Sequence, residues 1–192
     1  GSDVILKAMR RRYRARHYAD RIKRARQLMS TAAIGADVMV GFPGETDKEF
    51  EETKRFVSDL PFTYLHVFTY SARPGTEAYD MSSHVGSAVK KERSQVLRKL
   101  AMDKNLIFRR SLIGKCFSAV TRRQVDTRNT LAMTDNYVTV LLAMSRKDNV
   151  RLVDVEVVSA NTDCTLAREI DTKVSEDGIL LDRCRDDVVQ TT

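Results

Sequence analysis

A strand–helix–strand pattern between residues 34 and 81 constrains the fold of this chain more than any other feature. An apolar run at residues 38–40 ends in the turn GFPGET, residues 41–46, and a helical pattern follows. A second apolar run, residues 64–70, ends in the turn SARPGT, residues 71–76. Such a βαβ unit builds a parallel sheet, whose ligands bind at the carboxyl ends of the strands. Both turns are therefore expected at the ligand-binding edge of one sheet.

The first turn combines flexible backbone with a helix start. Gly41 and Gly44 permit a close approach of the backbone to a ligand, or a positive φ. Thr46 and Glu49 have the spacing of a capping box, in which the threonine hydroxyl accepts the Glu49 amide and the glutamate reaches back. This combination predicts a helix that begins directly after the turn.

Two polar residues, Asp37 in the first strand and Arg73 in the second turn, each allow a functional and a structural interpretation. The apolar character of residues 33–40 predicts a strand buried on both faces, and Asp37 interrupts it. A buried carboxylate needs a partner, so Asp37 either orients a ligand or caps a neighbouring backbone group. Arg73 either binds a carboxylate or phosphate with its planar donor fork, or lies on the surface of an ordinary Pro-Gly turn.

Positive charge is concentrated at the N-terminal end of the chain. Residues 1–26 hold ten Lys and Arg residues against two acidic ones, a balance of +8, whereas the rest of the chain balances to −1. Such a block is either a phosphate-binding surface or a solvated helix face. No apolar run approaches the roughly 18 residues that a membrane-spanning helix requires, so no membrane partner is expected.

The three cysteines are too scattered to form a metal site by themselves. Cys116, Cys164 and Cys184 show no CxxC spacing. An odd, scattered set argues against a disulfide framework and is typical of a reducing cytoplasm. We therefore expect a cytoplasmic protein whose chain supplies no metal ligands.

Helical and strand periods divide the remaining chain. Residues 4–29 have the period of a helix, and a long helix is expected from Ser87 to Gly114. Its basic stretch, residues 90–93, is read as a solvated face. From Lys115 onward, short strands separated by turn residues predict a small antiparallel barrel. These strands are expected at 117–121, 129–133, 137–142, 151–158 and 162–167, and a tail strand at 178–181.

Several motifs together resemble one enzyme family. The segments GADVMVGFPGET, residues 35–46, and HVFTYSARPGTEAYDM, residues 66–81, are similar to the methylthiotransferase branch of the radical S-adenosylmethionine enzymes. The segment LKAMRRRY, residues 6–13, resembles the stretch that precedes them in that family. One departure is Arg14, since the family usually has a threonine-type cap after the tyrosine.

The resemblance implies a fold of two parts, α/β plus all-β. Residues 1–113 would be the end of a partial TIM-type radical barrel with its connecting helix. Residues 114–170 would be a TRAM-like β-barrel, and residues 171–192 a tail. The family's 4Fe-4S cluster is held by a CxxxCxxC motif that this sequence lacks. The chain alone is therefore expected to hold neither cluster nor S-adenosylmethionine, and to be inactive, with no catalytic residue of its own.

The resemblance also implies roles for residues at both turns and in the barrel. The residues that it places beside S-adenosylmethionine in the full-length parent are Asp37, Met39, Gly41, Phe42, Gly44 and Glu45. Those that it places at the substrate are Tyr70, Ser71, Arg73, Gly75 and Thr76. Expected contacts to RNA are Arg10, Arg11, Arg12, Lys115, Arg122, Arg123, Asn136 and Tyr137.

The implied activity is methylthiolation of tRNA, with several alternatives open. The 71–76 turn and the TDNY segment at residues 134–137 favour threonylcarbamoyl-adenosine beside the anticodon as the modified base. Isopentenyl-adenosine in tRNA and an aspartate of a ribosomal protein are alternatives within the family. A stand-alone RNA-binding module and a purely structural domain are alternatives of other classes. An open barrel edge would also expose unpaired backbone groups, which predicts a non-native dimer or reduced stability.

Overall fold

A computed structural model describes residues 1–126, 128–143 and 150–170 of the chain. The chain divides into two compact units, Gly1–Ile107 and a second unit that begins at Phe108. The expected domain boundaries at residues 113 and 170 stay predictions, and the expected tail strand lies outside the described residues. No helix in the described part of the chain is both long and apolar enough to cross a bilayer.

A βαβ unit forms the centre of the first unit, as the sequence predicts. Strands β1 and β2 are parallel, with Gly35 opposite Tyr64 and Val40 opposite Thr69. Helix α3 connects them, and both halves of the predicted capping box at Thr46 and Glu49 are present. The elements are α1 Asp3–Ala8, α2 Ala15–Leu28, β1 Gly35–Val40, α3 Asp47–Asp59, β2 Tyr64–Thr69, α4 Glu77–Asp80 and α5 Ser87–Arg110.

Only one face of this sheet is covered by apolar packing. Val40 and Val67 lie in one buried cluster with Phe50 of α3 and Leu97 of α5. Asp37 and Met39 lie on the other face of the sheet and are exposed. The expectation that β1 is buried on both faces is wrong, because α3 and α5 pack on the same side. The sheet formed by the described residues of this unit has two strands, so a partial TIM-type barrel is not confirmed.

The expected N-terminal helix is divided into two. Arg10 adopts a left-handed conformation with φ of 57°, and a turn separates α1 from α2. The backbone N–H of Ala15 donates to the Asp3 carboxylate at 2.7 Å, so a residue of α1 caps the start of α2. One side of α2, with Tyr18 and Ile22, packs on the buried cluster around Phe62.

The second unit contains a closed five-stranded barrel, which confirms the expected small barrel. The strands are β3 Cys116–Gln124, β4 Thr130–Thr134, β5 Thr139–Leu142, β6 Leu152–Ala160 and β7 Thr165–Glu169. They close in the order β3-β4-β5-β7-β6. Four of the pairs are antiparallel, but β5 and β7 are parallel. The barrel is therefore mixed, not wholly antiparallel as expected.

Alternating side chains fill the interior of the barrel. Val153, Val155 and Val157 of β6 are buried, as the two-residue period of a strand requires. Register shifts at residues 121–123 of β3 and 157–159 of β6 mark β-bulges, which bend strands in small barrels. Gly114, with φ of 80°, lies in the turn between α5 and β3, so α5 ends four residues earlier than expected.

The described residues include two of the three cysteines. Cys164 is a free, half-buried thiol, and Cys116 lies at the start of β3. Cys184 lies outside the described residues, so the expectation of no disulfide framework stays a prediction.

Candidate functional site

The two turns meet at the carboxyl ends of β1 and β2. The backbone N–H of Tyr70 donates to the Val40 carbonyl at 2.8 Å, so the parallel pairing continues into both turns. The rings of Phe42 and Tyr70 meet edge to face, with their centroids 5.3 Å apart. Both rings are buried, together with Ile5 of α1. The structure thus brings the two predicted groups of site residues together at one edge of the sheet.

A buried ion pair fixes the first turn. Glu45 Oε1 accepts two hydrogen bonds, one from the backbone N–H of Gly41 at 2.8 Å and one from Arg93 Nη1 at 2.7 Å. Arg93 Nη1 also donates to the Glu45 carbonyl at 3.0 Å, and Nη2 donates to Asp47 Oδ1 at 2.7 Å. The side chains of Arg93 and Glu45 are only 6% and 2% exposed. The Glu45 carboxylate is therefore used within the protein, and its role beside a cofactor stays a prediction.

Arg93 is the important residue that the sequence analysis missed. The segment 90–93 was expected to be a solvated face, and this is wrong at Arg93, which is buried and whose guanidinium also lies 5.3 Å from the Phe50 ring centroid. A local pattern cannot identify a partner 48 residues away. The only available hint was a basic residue in the second turn of a long helix, at its seventh position.

Lys90 of α5 occupies the space beside Gly41. Gly41 has φ of 75°, and a Cβ added to it would lie 2.4 Å from Lys90 Cγ. Lys90 Nζ donates to the Tyr70 carbonyl at 3.1 Å and lies 5.3 Å from the centroid of the Tyr70 ring. Gly44 also has a left-handed backbone, with φ of 84°, and nothing would crowd an added Cβ there. A larger residue at position 41 would therefore have both too little space and an unfavourable φ, whereas at position 44 only the φ would be unfavourable.

Tyr70 carries an unsatisfied polar group at this edge of the sheet. The residue is buried, and its hydroxyl has no hydrogen-bond partner among the described residues. Buried polar groups in proteins are almost always paired, so an orphan hydroxyl marks a place where a ligand atom can complete the pairing. Tyr70 belongs to the residues predicted to contact the substrate.

A cavity of about 300 Å³ lies beside the sheet in the first unit. Residues of α1, α2, α3, β1 and β2 form its walls. Asp37, Met39 and Glu45, three of the six predicted cofactor residues, line it, and Arg11 also contributes. Asp37 offers a carboxylate for a ligand amine or hydroxyl, and Met39 an apolar thioether. These two side chains fit part of an adenosyl or methionyl group, whereas Phe42 packs against Tyr70 instead.

The second turn is exposed and held by its own hydrogen bonds. Thr76 Oγ1 donates to the Arg73 carbonyl at 2.8 Å, and Gly75 has φ of 80°. Ser71 and the guanidinium of Arg73 are exposed, and that guanidinium has no partner within the described part of the chain. Arg73 is thus available for an anionic group, while Thr76 and Gly75 shape the turn that carries it.

The described residues do not fit an iron–sulfur cluster. No group of three or more His, Cys, Asp or Glu side chains converges in the described ranges 1–126, 128–143 and 150–170. Cluster ligation needs grouped thiolates.

An exposed aromatic ring lies at the turn between β4 and β5. Tyr137 is 82% exposed and has φ of 64°. The turn around it is rigid, because the Thr134 hydroxyl accepts the Val138 N–H at 2.9 Å and donates to Asn136 Oδ1 at 2.6 Å. Asn136 therefore shapes the turn. Tyr137 presents its ring to solvent from a backbone conformation that bulky residues rarely adopt.

The remaining predicted RNA contacts lie in separate places. Arg122 and Arg123 are exposed near the end of β3, whereas the Tyr137 turn lies beside Ser118, whose carbonyl accepts the Asp135 N–H. Arg122 lies four positions along β3 from Ser118, a distance of about 13 Å.

Lys115 is half-buried just before β3. In the first unit, Arg10 is ion-paired with Glu77 at 2.6 Å, Arg12 is exposed, and Arg11 lines the cavity. Among these three arginines, Arg10 is the one with an acidic partner in the described part of the chain.

Comparison with known proteins supports the resemblance for part of the chain. Two relatives, from Bartonella quintana and Bartonella henselae, are each 43% identical to this chain over 115 residues. Both are named tRNA-2-methylthio-N(6)-dimethylallyladenosine synthase. The match covers 60% of this chain, which spans about a quarter of the length of these relatives (25%). No protein-family model matches the chain.

Proposed function

We propose that this chain is part of a tRNA methylthiotransferase of the radical S-adenosylmethionine type. The observation that carries the proposal is the 43% identity to two proteins that bear the name of a methylthiolating tRNA enzyme. The geometry agrees with it, since both family-like turns meet at the carboxyl ends of two parallel strands. Ligands of parallel α/β folds bind at that edge.

The modified base is proposed to be an N6-substituted adenosine. The names of the two relatives favour dimethylallyl-adenosine, which is the isopentenyl alternative of the sequence analysis. The threonylcarbamoyl form, favoured by the 71–76 turn and the TDNY segment, remains the second candidate and finds no support in the comparisons. Both candidates place the same methylthio group on the same kind of ring.

The chain's own residues are assigned binding and orienting roles. S-adenosylmethionine and 4Fe-4S clusters, bound in the full-length parent, would supply the radical and sulfur-insertion chemistry. Asp37 and Met39 are proposed to contact the adenosylmethionine from the cavity wall, and the Gly41 turn to bring its backbone close to it. Tyr70 would use its orphan hydroxyl, and Arg73 its fork, to hold the substrate beside the second turn.

The barrel is proposed to be a TRAM-like contact to tRNA. Tyr137 supports this role, because an aromatic side chain at positive φ and 82% exposure serves no packing purpose. Strained, exposed residues of this kind occur at binding sites. Stacking of an RNA base on its ring would contribute about 1–3 kcal/mol.

Mass spectrometry of nucleosides from bulk tRNA tests the proposal. Cells with and without the complete gene that encodes this chain are compared. Loss of the methylthio form of dimethylallyl-adenosine would support the proposal and its first substrate. Loss of the threonylcarbamoyl form would support the enzyme class and the second substrate. An unchanged set of tRNA nucleosides would contradict the proposal and direct attention to a ribosomal-protein aspartate.

A further inference from the structure

Positive charge on the outer side of α2 forms a second candidate surface. We propose that the α2 basic face, defined as Arg14, Arg16, Arg21, Lys23 and Arg24, binds the phosphate backbone of RNA independently of the barrel. The inference rests on the proposed function, in which tRNA is the substrate. It adds an interaction surface on the first unit that the residues assigned to the barrel do not provide.

The helix separates its apolar and basic residues onto opposite sides. Tyr18, Ala19 and Ile22 pack on the buried cluster around Phe62. The five members of the α2 basic face are all exposed. From Arg14 to Arg24 the helix rises about 15 Å, so the cations form an extended strip. A strip of this kind can contact several phosphates along one strand.

The cations of the α2 basic face have no acidic partner within hydrogen-bonding distance in the described part of the chain. None of the five forms an ion pair in the described ranges of the chain, whereas Arg10 is paired with Glu77. The single acidic residue among residues 10–26 is Asp20. Asp20 is exposed and lies four residues from both Arg16 and Arg24, a spacing at which opposite charges stabilise a helix. One carboxylate can balance only one of the five cations, so the face keeps a net charge of +4.

The placement of the cations also opposes helix stability. Arg14 is the N-cap residue and its side chain makes no capping hydrogen bond, and no acidic residue lies in the first turn of α2. The N-terminal end of a helix carries partial positive charge, so Arg14 and Arg16 are placed where cations are unfavourable. Asp3 of α1 supplies the missing acceptor for the Ala15 N–H instead. A requirement other than folding therefore explains the arginines.

RNA fits this surface better than a membrane does. Amphipathic helices bind bilayers by inserting their apolar side, and that side of α2 is occupied by the protein core. What remains accessible is a set of guanidinium groups, whose planar forks match phosphate oxygens. The chemistry that recognises this face is therefore a polyphosphate backbone.

Binding of fluorescently labelled, unmodified tRNA to the full chain tests the inference. The variant R16Q/K23Q/R24Q removes three cations of the α2 basic face. The control K48Q/K91Q/K99Q removes three exposed lysines from α3 and α5, so both variants fall from +7 to +4 in formal net charge. A third variant, Tyr137→Ala, tests the barrel. Glutamine is a good helix former, and helical circular dichroism confirms that the two charge variants are folded; R21Q/K23Q replaces the first variant if it is not. For Tyr137→Ala, thermal melting followed at the strand band of the spectrum confirms that the barrel is folded.

At salt concentrations of about 50 to 200 mM, the Kd of the α2 variant for tRNA is expected to be about tenfold or more above that of wild type. Its slope of log Kd against log salt should fall by about two, because each phosphate contact contributes roughly 0.7–0.9. The control should stay within about twofold of wild type, since its lysines lie outside the strip.

Equal loss in the α2 variant and the control would overturn the inference, because bulk charge would then suffice. An unchanged α2 variant beside a weakened Tyr137→Ala would also overturn it while leaving the proposed function intact. No tRNA binding by the wild-type chain would overturn the inference and the proposed RNA contact of the barrel, whereas the enzyme class depends on the nucleoside measurement alone. A further outcome is that the α2 variant loses binding to phosphatidylglycerol vesicles while its affinity for tRNA and the binding of the other variants stay unchanged. This result would indicate a membrane partner in place of RNA and would overturn the inference.

Discussion

Breaking the buried ion pair between Arg93 and Glu45 should destabilise the first unit strongly. Arg93→Met removes the cation and three hydrogen bonds that it donates to Glu45 and Asp47. The Glu45 side chain, 2% exposed, is then left as an uncompensated buried carboxylate. Loss of one partner of such a pair costs about 3–5 kcal/mol. That is a large part of the roughly 5–15 kcal/mol that stabilises a typical domain.

The sign of a second substitution distinguishes this explanation from simple loss of packing. In the double variant R93M/E45Q no buried charge remains, and the amide oxygen introduced at position 45 can still accept the Gly41 N–H. The double variant should therefore be more stable than Arg93→Met alone, by about 1–3 kcal/mol. Removing an exposed pair gives the control: Lys54→Met, which breaks a contact to Glu51, should cost about 0–1 kcal/mol.

Urea denaturation followed by far-ultraviolet circular dichroism measures these differences. All five described helices begin in the first unit, so the helical band reports its unfolding separately from that of the barrel. A two-unit chain need not unfold in one step, which is why a probe of one unit is required. A cost below about 1 kcal/mol for Arg93→Met, or a double variant that is less stable than Arg93→Met, would refute the reasoning.

Three further substitutions test the site. Gly41→Ala should destabilise the first unit more than Gly44→Ala, because of these two positions only the added Cβ at Gly41 meets Lys90. Gly44→Ala should cost about 1 kcal/mol from its positive φ alone. Urea titrations of the two variants measure the difference. Tyr70→Phe should leave the free energy of unfolding of the free chain unchanged or raise it by up to about 1 kcal/mol, because the lost hydroxyl is unpaired. A marked loss of stability in the same titration would show that the hydroxyl does form a hydrogen bond. Tyr137→Gly should raise the melting temperature of the barrel by relieving positive φ, yet weaken tRNA binding in an anisotropy titration; a lower melting temperature would show that the ring packs.

Local patterns predicted the parts of the site that depend on neighbouring residues. The capping box at Thr46 and Glu49 is confirmed because its spacing alone determines the hydrogen bonds. The meeting of the two turns is confirmed because parallel strands joined by one helix must end at the same edge. The closed barrel was similarly evident from the short spacing between strands, although the parallel pair β5–β7 depends on long-range closure that spacing does not encode.

Long-range partners account for what the sequence analysis missed. Nothing near Arg93 in the sequence indicates that its guanidinium reaches the turn before α3. The exposed face of β1 at Asp37 and Met39 was missed because burial depends on which sides the helices cover. The helical period alone did not indicate the break between α1 and α2, because the period continues across it. The family's threonine-type cap after the tyrosine did point to a second helical piece, and Arg14 at that position is the N-cap of α2.

The Arg93–Glu45 pair explains how a turn that contains two glycines can keep one fixed conformation. Gly41 and Gly44 give the turn conformations that other residues resist, and they would also leave it free to move in isolation. Glu45 removes that freedom at Gly41 by accepting its N–H, and Arg93 holds Glu45 from a different helix. A backbone that must approach a ligand closely benefits from being held before the ligand arrives, because ordering then costs no affinity. The buried charge pair therefore serves the shape of the turn more than the stability of the fold, since an apolar pair of the same size would stabilise the unit equally well.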